Sequence, residues 1–308
     1  MQNYWLSFST ILPLFLVVFV GLVFSRTKSF KKEWIDVLND YALWIGFPAL
    51  ILVALFKLDV PLSEYIGLAA WNSAYIVLCM LLAFPVAKLF RLDTDTMRTL
   101  VLALSFGNVS YLGIPVLMNV YGLEILAEST LLSAIYLLWL FTLGIVLVEV
   151  MGEHDVNPLV VAKNLLRNPL LIAVLLGLLI TILKVEVPEV LVKGLDLFAS
   201  SVTAVVLFSL GLFLGTHPFG KLKEWLPVAG FSIAILLVLP LAFYGAIQFF
   251  GVSFDIRASV LEAAMPMGFT PYVLAVKYKL NATFASKVVV LSTMLSVFTL
   301  PLWIQILG

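Results

Sequence analysis

Ten apolar runs follow one another along this 308-residue chain, separated by short charged or turn-rich breaks. A helix of about 20 apolar residues crosses the hydrocarbon core of a bilayer. Backbone groups in lipid must be satisfied within their own segment, and the runs lack the period-two alternation of barrel strands, so we expect helices. The sequence therefore predicts an all-α membrane protein with ten transmembrane helices, numbered here as spans 1 to 10: 5–24, 41–56, 65–90, 98–121, 126–151, 169–183, 195–215, 225–250, 257–278 and 284–307.

Composition excludes several functional classes. Hydrophobic residues make up 63% of the chain and charged residues 12%, against roughly 45–50% and about 25% in soluble domains. The 18 basic residues are balanced by 18 acidic ones, so no basic field attracts nucleic acid. The sequence offers neither a nucleophile paired with a base nor a pair of membrane aspartates, which an intramembrane hydrolase would need. No Walker-type phosphate loop accompanies the spans. We therefore expect neither an enzyme nor an ATPase.

The distribution of lysine and arginine predicts the orientation of the chain. Loops on the cytoplasmic side of a membrane retain positive charge. With the N-terminus outside, 14 of the 18 basic residues fall in inner loops. The prediction is a multi-pass protein of the cytoplasmic membrane with both termini extracytoplasmic. Span 1 lacks a basic segment before it and is followed by one at 26–32, which indicates a retained span and not a cleaved signal peptide.

A polar break at 152–158 divides the chain into two units of five spans, predicted as 1–152 and 153–308. An odd number of spans inverts the second unit relative to the first. In transporters built this way, the substrate site lies at broken helices in corresponding positions of the two units. Spans 4 and 9 each carry glycine and proline near mid-membrane, at 105–115 and 263–271. Their unwound centres are expected to cross and to present positive half-helix ends to an anion and free carbonyls to a cation.

These features resemble the auxin efflux carrier family, which includes the plant PIN-formed exporters and the bacterial malonate and malate permeases. The resemblance covers essentially the whole chain and rests on Asn39, 47–49, 108–115, 208–213 and 266–271. It implies the fold shared with bile-acid symporters and sodium/proton antiporters, in which spans 1, 2, 6 and 7 form a scaffold and spans 3–5 and 8–10 a mobile transport domain. Elevator-type alternating access and a homodimer are also implied.

The resemblance places the substrate carboxylate beside Asn108 and the prolines of the two broken spans. The predicted function is secondary transport of a small organic anion, an auxin-like acid or a dicarboxylate. An anion-gated channel or a membrane sensor that binds the same ligand without moving it is the alternative. Asn108 could instead be a packing amide, and the prolines could be plain kinks. The predicted substrate residues are Asn108, Gly107, Tyr111, Gly113, Pro115, Pro266, Gly268, Thr270, Pro271 and, from span 2, Pro48.

Glu262 lies one helical turn before Pro266 in a span otherwise free of acid. A carboxylate within a membrane is a functional hypothesis by default. The stretch 262–265 is similar to a sodium-binding stretch of bile-acid symporters, whereas plant auxin exporters tend to carry glutamine there. The predicted coupling ion is sodium, held by Glu262, Ser105 and Asn108, or a proton on Glu262 alone. The alternative pairs Glu262 with Arg257 at the outer interface, and no other cofactor is expected.

Two further features have ordinary explanations. Gly211 and Gly215 of span 7 are four residues apart, a spacing that allows close helix packing or a dimer seam, and packing is preferred. His154 and His217 fall in predicted inner loops and are expected to be solvated.

Overall fold

The computed structural model describes residues 2–56, 65–152, 166–216 and 225–308. These residues are helical apart from short connections and one isolated bridge, so the predicted all-α class is confirmed for them. The predicted unit boundary, His154 and His217 lie outside the described residues. Seven helices in the described part of the chain are long and apolar enough to cross a membrane: Tyr4–Phe24, Glu33–Val53, Tyr65–Phe90, Leu123–Met151, Glu189–Thr216, Trp225–Phe250 and Ala282–Leu307.

The three other predicted spans consist of shorter helices. Span 6 is the single helix Pro169–Ile182. Span 4 comprises Thr94–Ser105 and, after a break, Val109–Tyr121. Span 9 comprises Ile256–Ala263 and Phe269–Lys277. The glycine and proline positions therefore predicted correctly which two spans are broken.

The predicted starts of spans 2 and 7 were wrong by more than one helical turn. Span 2 begins at Glu33 and span 7 at Glu189, whereas the apolar runs begin at 41 and 195. In both cases the additional turns carry charged residues, which hydropathy excludes from a membrane run although they remain helical. An ion pair across one helical turn, Glu189 to Lys193 at 2.8 Å, accompanies the extension of span 7.

Three π-helical turns each end two residues before a proline. A proline has no N–H, so one carbonyl of the preceding turn loses its helical donor. The residue before each proline instead donates to the carbonyl five residues earlier, which lets the helix continue with a local bulge. These turns are Ala42–Gly46 before Pro48, Val109–Gly113 before Pro115 and Ala234–Val238 before Pro240.

Spans 1 and 7 pack against each other through glycines. A Cβ added at Gly211 would overlap the carbonyl oxygen of Val18, and one added at Gly21 would overlap the carbonyl oxygen of Phe208. Gly215 is equally close to Ser25 of the segment after span 1. The small residues of span 7 thus serve helix packing within the chain, as preferred from the sequence.

Other contacts group the helices. Span 6 packs on span 2 and span 7 also packs on span 2, while span 3 packs on the first half of span 4 and span 8 packs on span 10. Large apolar side chains such as Phe19, Leu197 and Phe249 stay exposed on outer faces. Extensive apolar exposure of this kind is typical of a surface that contacts lipid or a partner.

Candidate functional site

The broken centres of spans 4 and 9 are joined backbone to backbone. The N–H of Asn108 donates to the carbonyl oxygen of Pro266 over 2.6 Å, and the N–H of Gly268 donates to the carbonyl oxygen of Phe106 over 3.0 Å. Between these two bonds, Gly107 and Met267 form an antiparallel bridge. Backbone groups that the breaks remove from the helices are therefore satisfied by the partner span, as a membrane interior requires.

Two glycines permit this close approach. A Cβ added at Gly107 would lie 3.2 Å from the Cβ of Met265. A Cβ added at Gly268 would lie 2.8 Å from Cδ1 of Phe106 and 2.9 Å from the carbonyl oxygen of Gly107. The predicted substrate residues Gly107 and Gly268 thus have a structural role at the junction, because a larger residue would separate the two spans.

Each break leaves the N-terminus of a half-helix at the junction. Val109–Tyr121 begins directly after Asn108, and Phe269–Lys277 begins directly after Gly268. The first N–H groups of a helix have no partner within it, and its N-terminus carries a partial positive charge. Two such ends in one place favour an anion.

A cavity of about 430 Å³ lies beside the junction. Three of the predicted substrate residues line it, namely Asn108, Tyr111 and Thr270. Asn108 is only 3% exposed, and its side chain does not cap the helix that follows it. The other lining residues are Asp36, Asn39, Asp40, Leu43, Phe106, Ser110, Leu137, Phe141, Asn168, Leu170, Phe269 and Val273.

The predicted prolines lie around the cavity and not in its wall. Pro115 is buried in the second turn of Val109–Tyr121, and Pro271 is buried in the first turn of Phe269–Lys277. Pro266 contributes its carbonyl oxygen to the junction. Pro48 is half-buried, and it is its neighbour Phe47 whose ring contacts the ring of Tyr111, edge to face at 5.2 Å between centroids. The prolines therefore shape the backbone.

Sequence reasoning missed several polar residues of the cavity. Ser110 is 5% exposed, and its hydroxyl has no hydrogen-bond partner among the described residues. Asp36, Asp40 and Asn168 reach the cavity from spans 2 and 6. Asn39, a residue that carried the family resemblance, accepts a hydrogen bond from the Ser209 hydroxyl at 2.7 Å. That resemblance was the one available signal that the start of span 2 belongs to the site.

Glu262 is fully buried and is held by a residue that the sequence analysis missed. The hydroxyl of Ser129 donates to Oε1 of Glu262 over 2.7 Å. The second oxygen, Oε2, has no hydrogen-bond partner among the described residues, and it lies 2.9 Å from where a Cβ on Gly113 would be. The predicted site residue Gly113 therefore makes room for the carboxyl group of Glu262.

The alternative considered for Glu262, a pair with Arg257, is not present in the structure. Arg257 binds Asp255 and not Glu262. The hydroxyl of Ser105 donates to the carbonyl oxygen of Val101 in its own helix at 2.7 Å. No group of three or more histidine, cysteine, aspartate or glutamate side chains suited to a metal occurs in the part of the chain that the structure describes. Glu262 and Ser129 are thus the polar pair on which a coupling site would be built.

The first half of span 4 begins at a side-chain cap. Asp93 precedes Thr94–Ser105, and its carboxylate accepts hydrogen bonds from the backbone N–H of Thr96 at 2.9 Å and from the Thr96 hydroxyl at 2.7 Å. These bonds from Thr96 hold the pKa of the Asp93 carboxyl below its usual range. The cap fixes where span 4 begins.

Comparison with known proteins gives the family. A family model described as membrane transport protein matches residues 6–304. The chain is 26% identical to an uncharacterized transporter of Methanothermobacter thermautotrophicus over 98% of both proteins. It is 24% identical to a putative malonate transporter of Rhizobium meliloti over 94% of this chain and 92% of that protein. Over 47% of its length it is 26% identical to the probable auxin efflux carrier component 3b of Oryza sativa subsp. japonica, of which this covers 26%.

These proteins are transporters and not enzymes. The apolar helices and the broken, joined spans fit that class. Since the family model spans almost the whole chain, this is an integral, multi-pass membrane protein that belongs to the membrane transport protein family, the family of the auxin efflux carriers.

Proposed function

We propose that this chain is a secondary active transporter of a small organic anion, a carboxylate. The observation that carries the proposal is the cavity beside the junction of spans 4 and 9, into which Asn108 and Ser110 face at the positive end of a half-helix. A carboxylate there would accept hydrogen bonds from free N–H groups, the Asn108 amide and the Ser110 hydroxyl.

The proposed architecture has ten spans in two inverted units, 1–152 and 153–308, with spans 4 and 9 crossing at the substrate. Spans 1, 2, 6 and 7 form the scaffold, and spans 3–5 and 8–10 form the transport domain. In support, span 7 packs on spans 1 and 2 and span 6 packs on span 2, while span 3 packs on span 4 and span 8 on span 10; span 1 also packs on span 10. The cavity lies between these groups, because spans 2 and 6 line one wall and spans 4, 5 and 9 line the other.

Elevator-type alternating access would move the junction and its bound anion past the scaffold wall. Asp36 lies near the start of span 2, and Asn168 caps the start of span 6. With the N-terminus outside, both positions are cytoplasmic, so this conformation would be open to the inside. The proposed assembly is a homodimer in the cytoplasmic membrane, with the termini of each chain on the extracytoplasmic side.

The proposed coupling site is Glu262. A transported anion needs a driving gradient, and no Walker-type loop is found in the sequence. The ion is sodium, bound by Glu262 with Ser105, Asn108 and the Ser129 hydroxyl as further oxygen donors, or a proton carried by Glu262. The carboxyl group of Glu262 is buried between spans 4, 5 and 9, so binding of a sodium ion or a proton there would alter how these three spans pack.

Counterflow in proteoliposomes tests the function. Unlabelled carboxylate inside the vesicles should accelerate entry of the labelled acid in a carrier and not in a channel or a sensor. Asn108→Ala should abolish the acceleration, and Ser110→Ala should remove most of it. Thr94→Ala is the control, since Thr94 lies in the same span but is exposed and outside the cavity lining. Ligand binding without counterflow would favour the sensor.

A further inference from the structure

The cavity has two chemically different ends. One end is the junction, with the half-helix N-terminus at Asn108 and the half-helix N-terminus at Phe269. Asp36 and Asp40 lie one helical turn apart on the same face of Glu33–Tyr41. They form the other end, because it is Phe47, further along span 2, whose ring contacts Tyr111 beside the junction. Between the ends, the wall is largely apolar: Leu43, Phe106, Leu137, Phe141, Leu170 and Val273.

The junction end carries a hydrogen-bonding group that the protein itself leaves unused. Ser110 is more than nine-tenths buried, lines the cavity and has a hydroxyl without a partner among the described residues. Buried hydroxyls ordinarily find a partner, and an exception calls for an explanation. A ligand carboxylate in the cavity would supply that partner.

Neither aspartate of the acidic end forms an ion pair among the described residues, although Lys31 and Lys32 stand directly before the same helix. Among the described residues, the ion pairs are Arg98 with Asp95, Lys193 with Glu189 and Arg257 with Asp255. None of them uses Asp36 or Asp40. The described lining of the cavity contains two carboxylates and no lysine, arginine or histidine.

We propose that this cavity selects a carboxylate whose far end is positively charged, a zwitterion such as an amino acid with its two groups at opposite ends. Asp36 and Asp40 are the specificity-determining residues: they attract the cationic end and repel a second carboxylate. This inference rests on the proposed function. It also separates this chain from a carrier of dicarboxylates such as malonate, the acid named for one relative.

The test uses acids that differ only at the far end. β-Alanine, propionate and malonate share a three-carbon frame and end in an ammonium, a methyl and a carboxylate group. 5-Aminopentanoate, pentanoate and glutarate form a longer set. Binding is measured by thermal stabilisation of the purified full chain and by competition in counterflow. In each set we expect the amino acid to bind at least about tenfold more tightly than the diacid, because like charges in a shared cavity repel.

Variants assign the preference to the two aspartates. Asp36→Asn and Asp40→Asn should each reduce the ratio of amino-acid to diacid affinity several-fold, by weakening the amino acid and strengthening the diacid. Propionate and pentanoate should bind unchanged. Asp196→Asn is the control, since Asp196 is an exposed acid of span 7 outside the cavity lining. The preference should also fall as salt is raised, because salt screens exposed charges.

Three outcomes would overturn the inference, and they separate it from the proposed function. If the diacids bind best, or if both aspartate variants leave the ratio unchanged, the selectivity is refuted while the carboxylate carrier stands. If none of the six acids stabilises the protein or exchanges in counterflow, the carboxylate site itself is refuted.

Discussion

The backbone N–H of Asn108 donates to the carbonyl oxygen of Pro266 over 2.6 Å, across 158 residues of sequence. This bond joins two spans at the points where both are unwound. The bond uses only backbone groups, so the side-chain amide of Asn108 stays available to a ligand in the cavity that this residue lines. Rigid placement of a binding group at a backbone junction is what a substrate site in a membrane requires.

Gly268→Ala should loosen this junction. Its Cβ would lie 2.8 Å from Cδ1 of Phe106 and 2.9 Å from the Gly107 carbonyl oxygen, and such overpacking costs about 1–3 kcal/mol. We expect a lower thermal unfolding temperature in detergent, and we expect added carboxylates to raise that temperature by less than in the wild type. Gly230→Ala is the control, since a Cβ there meets nothing within 4 Å. Equal effects of the two substitutions would contradict the close approach.

Ser129→Ala should destabilise the protein although it removes a single oxygen atom. It takes away the donor to Glu262 and leaves a fully buried carboxyl group without a partner, at a cost of about 1–3 kcal/mol. Thermal unfolding of the purified protein measures this loss. Ser286→Ala, at a half-buried serine whose hydroxyl donates to the Thr283 carbonyl oxygen of its own helix, should be nearly neutral. A neutral Ser129→Ala would show that the bond does not hold Glu262.

Glu262→Gln should uncouple transport from the cation gradient. Glutamine keeps the shape and can still accept the Ser129 hydrogen bond, but it neither carries a proton nor offers a charge to sodium. Uptake should lose its response to imposed sodium and pH gradients, while stabilisation by a carboxylate persists. Glu124→Gln, at an exposed acid near the start of the same helix as Ser129, serves as control. An unchanged gradient response would rule out Glu262 as the coupling residue.

Gly211→Ala should separate spans 1 and 7. A Cβ there would overlap the Val18 carbonyl oxygen, so the helices must move apart, and we expect a loss of about 1–3 kcal/mol in the free energy of unfolding. Gly194→Ala in the same helix, where a Cβ meets nothing within 4 Å, should be neutral or slightly stabilising. Comparable unfolding temperatures for the two variants would mean that the glycine seam is not close-packed.

Asp93→Ala tests the cap of span 4. Losing an N-cap side chain costs about 1 kcal/mol. The pKa of Asp93 is lowered in the folded protein, so its contribution is fully present above the unfolded pKa of about 3.9. It is lost as pH falls through the lower folded pKa. The thermal unfolding temperature of the wild type should therefore exceed that of the variant at pH 7, and the two temperatures should converge below about pH 4. A pH-independent gap would contradict the carboxylate cap.

Local sequence rules predicted much of the fold. Runs of apolar residues located the membrane helices, because hydropathy is summed over a stretch of about 20 residues. Glycine and proline located the breaks at 105–115 and 263–271, because they act on their own turn of helix. Hydropathy, however, placed the start of span 2 too late. The charged residues Asp36 and Asp40 end the apolar run, although the helix begins at Glu33.

The candidate site was predicted in part. Of the residues predicted to bind substrate, Asn108, Tyr111 and Thr270 line the cavity, whereas the prolines support the backbone around it. Ser110 stands within the predicted segment 105–115, but sequence alone does not show which side chain of an unwound stretch keeps an unused hydrogen bond.

By itself, the sequence determined the membrane class, the helices and the breaks in spans 4 and 9, because these depend on residues that are neighbours along the chain. Only the tertiary structure decided which residues meet. Ser129 lies 133 residues from Glu262 along the chain, and Asp36 reaches the cavity of Asn108 from another span. Such contacts depend on how helices pack, since glycines at Gly113 and Gly268 set how closely distant segments approach.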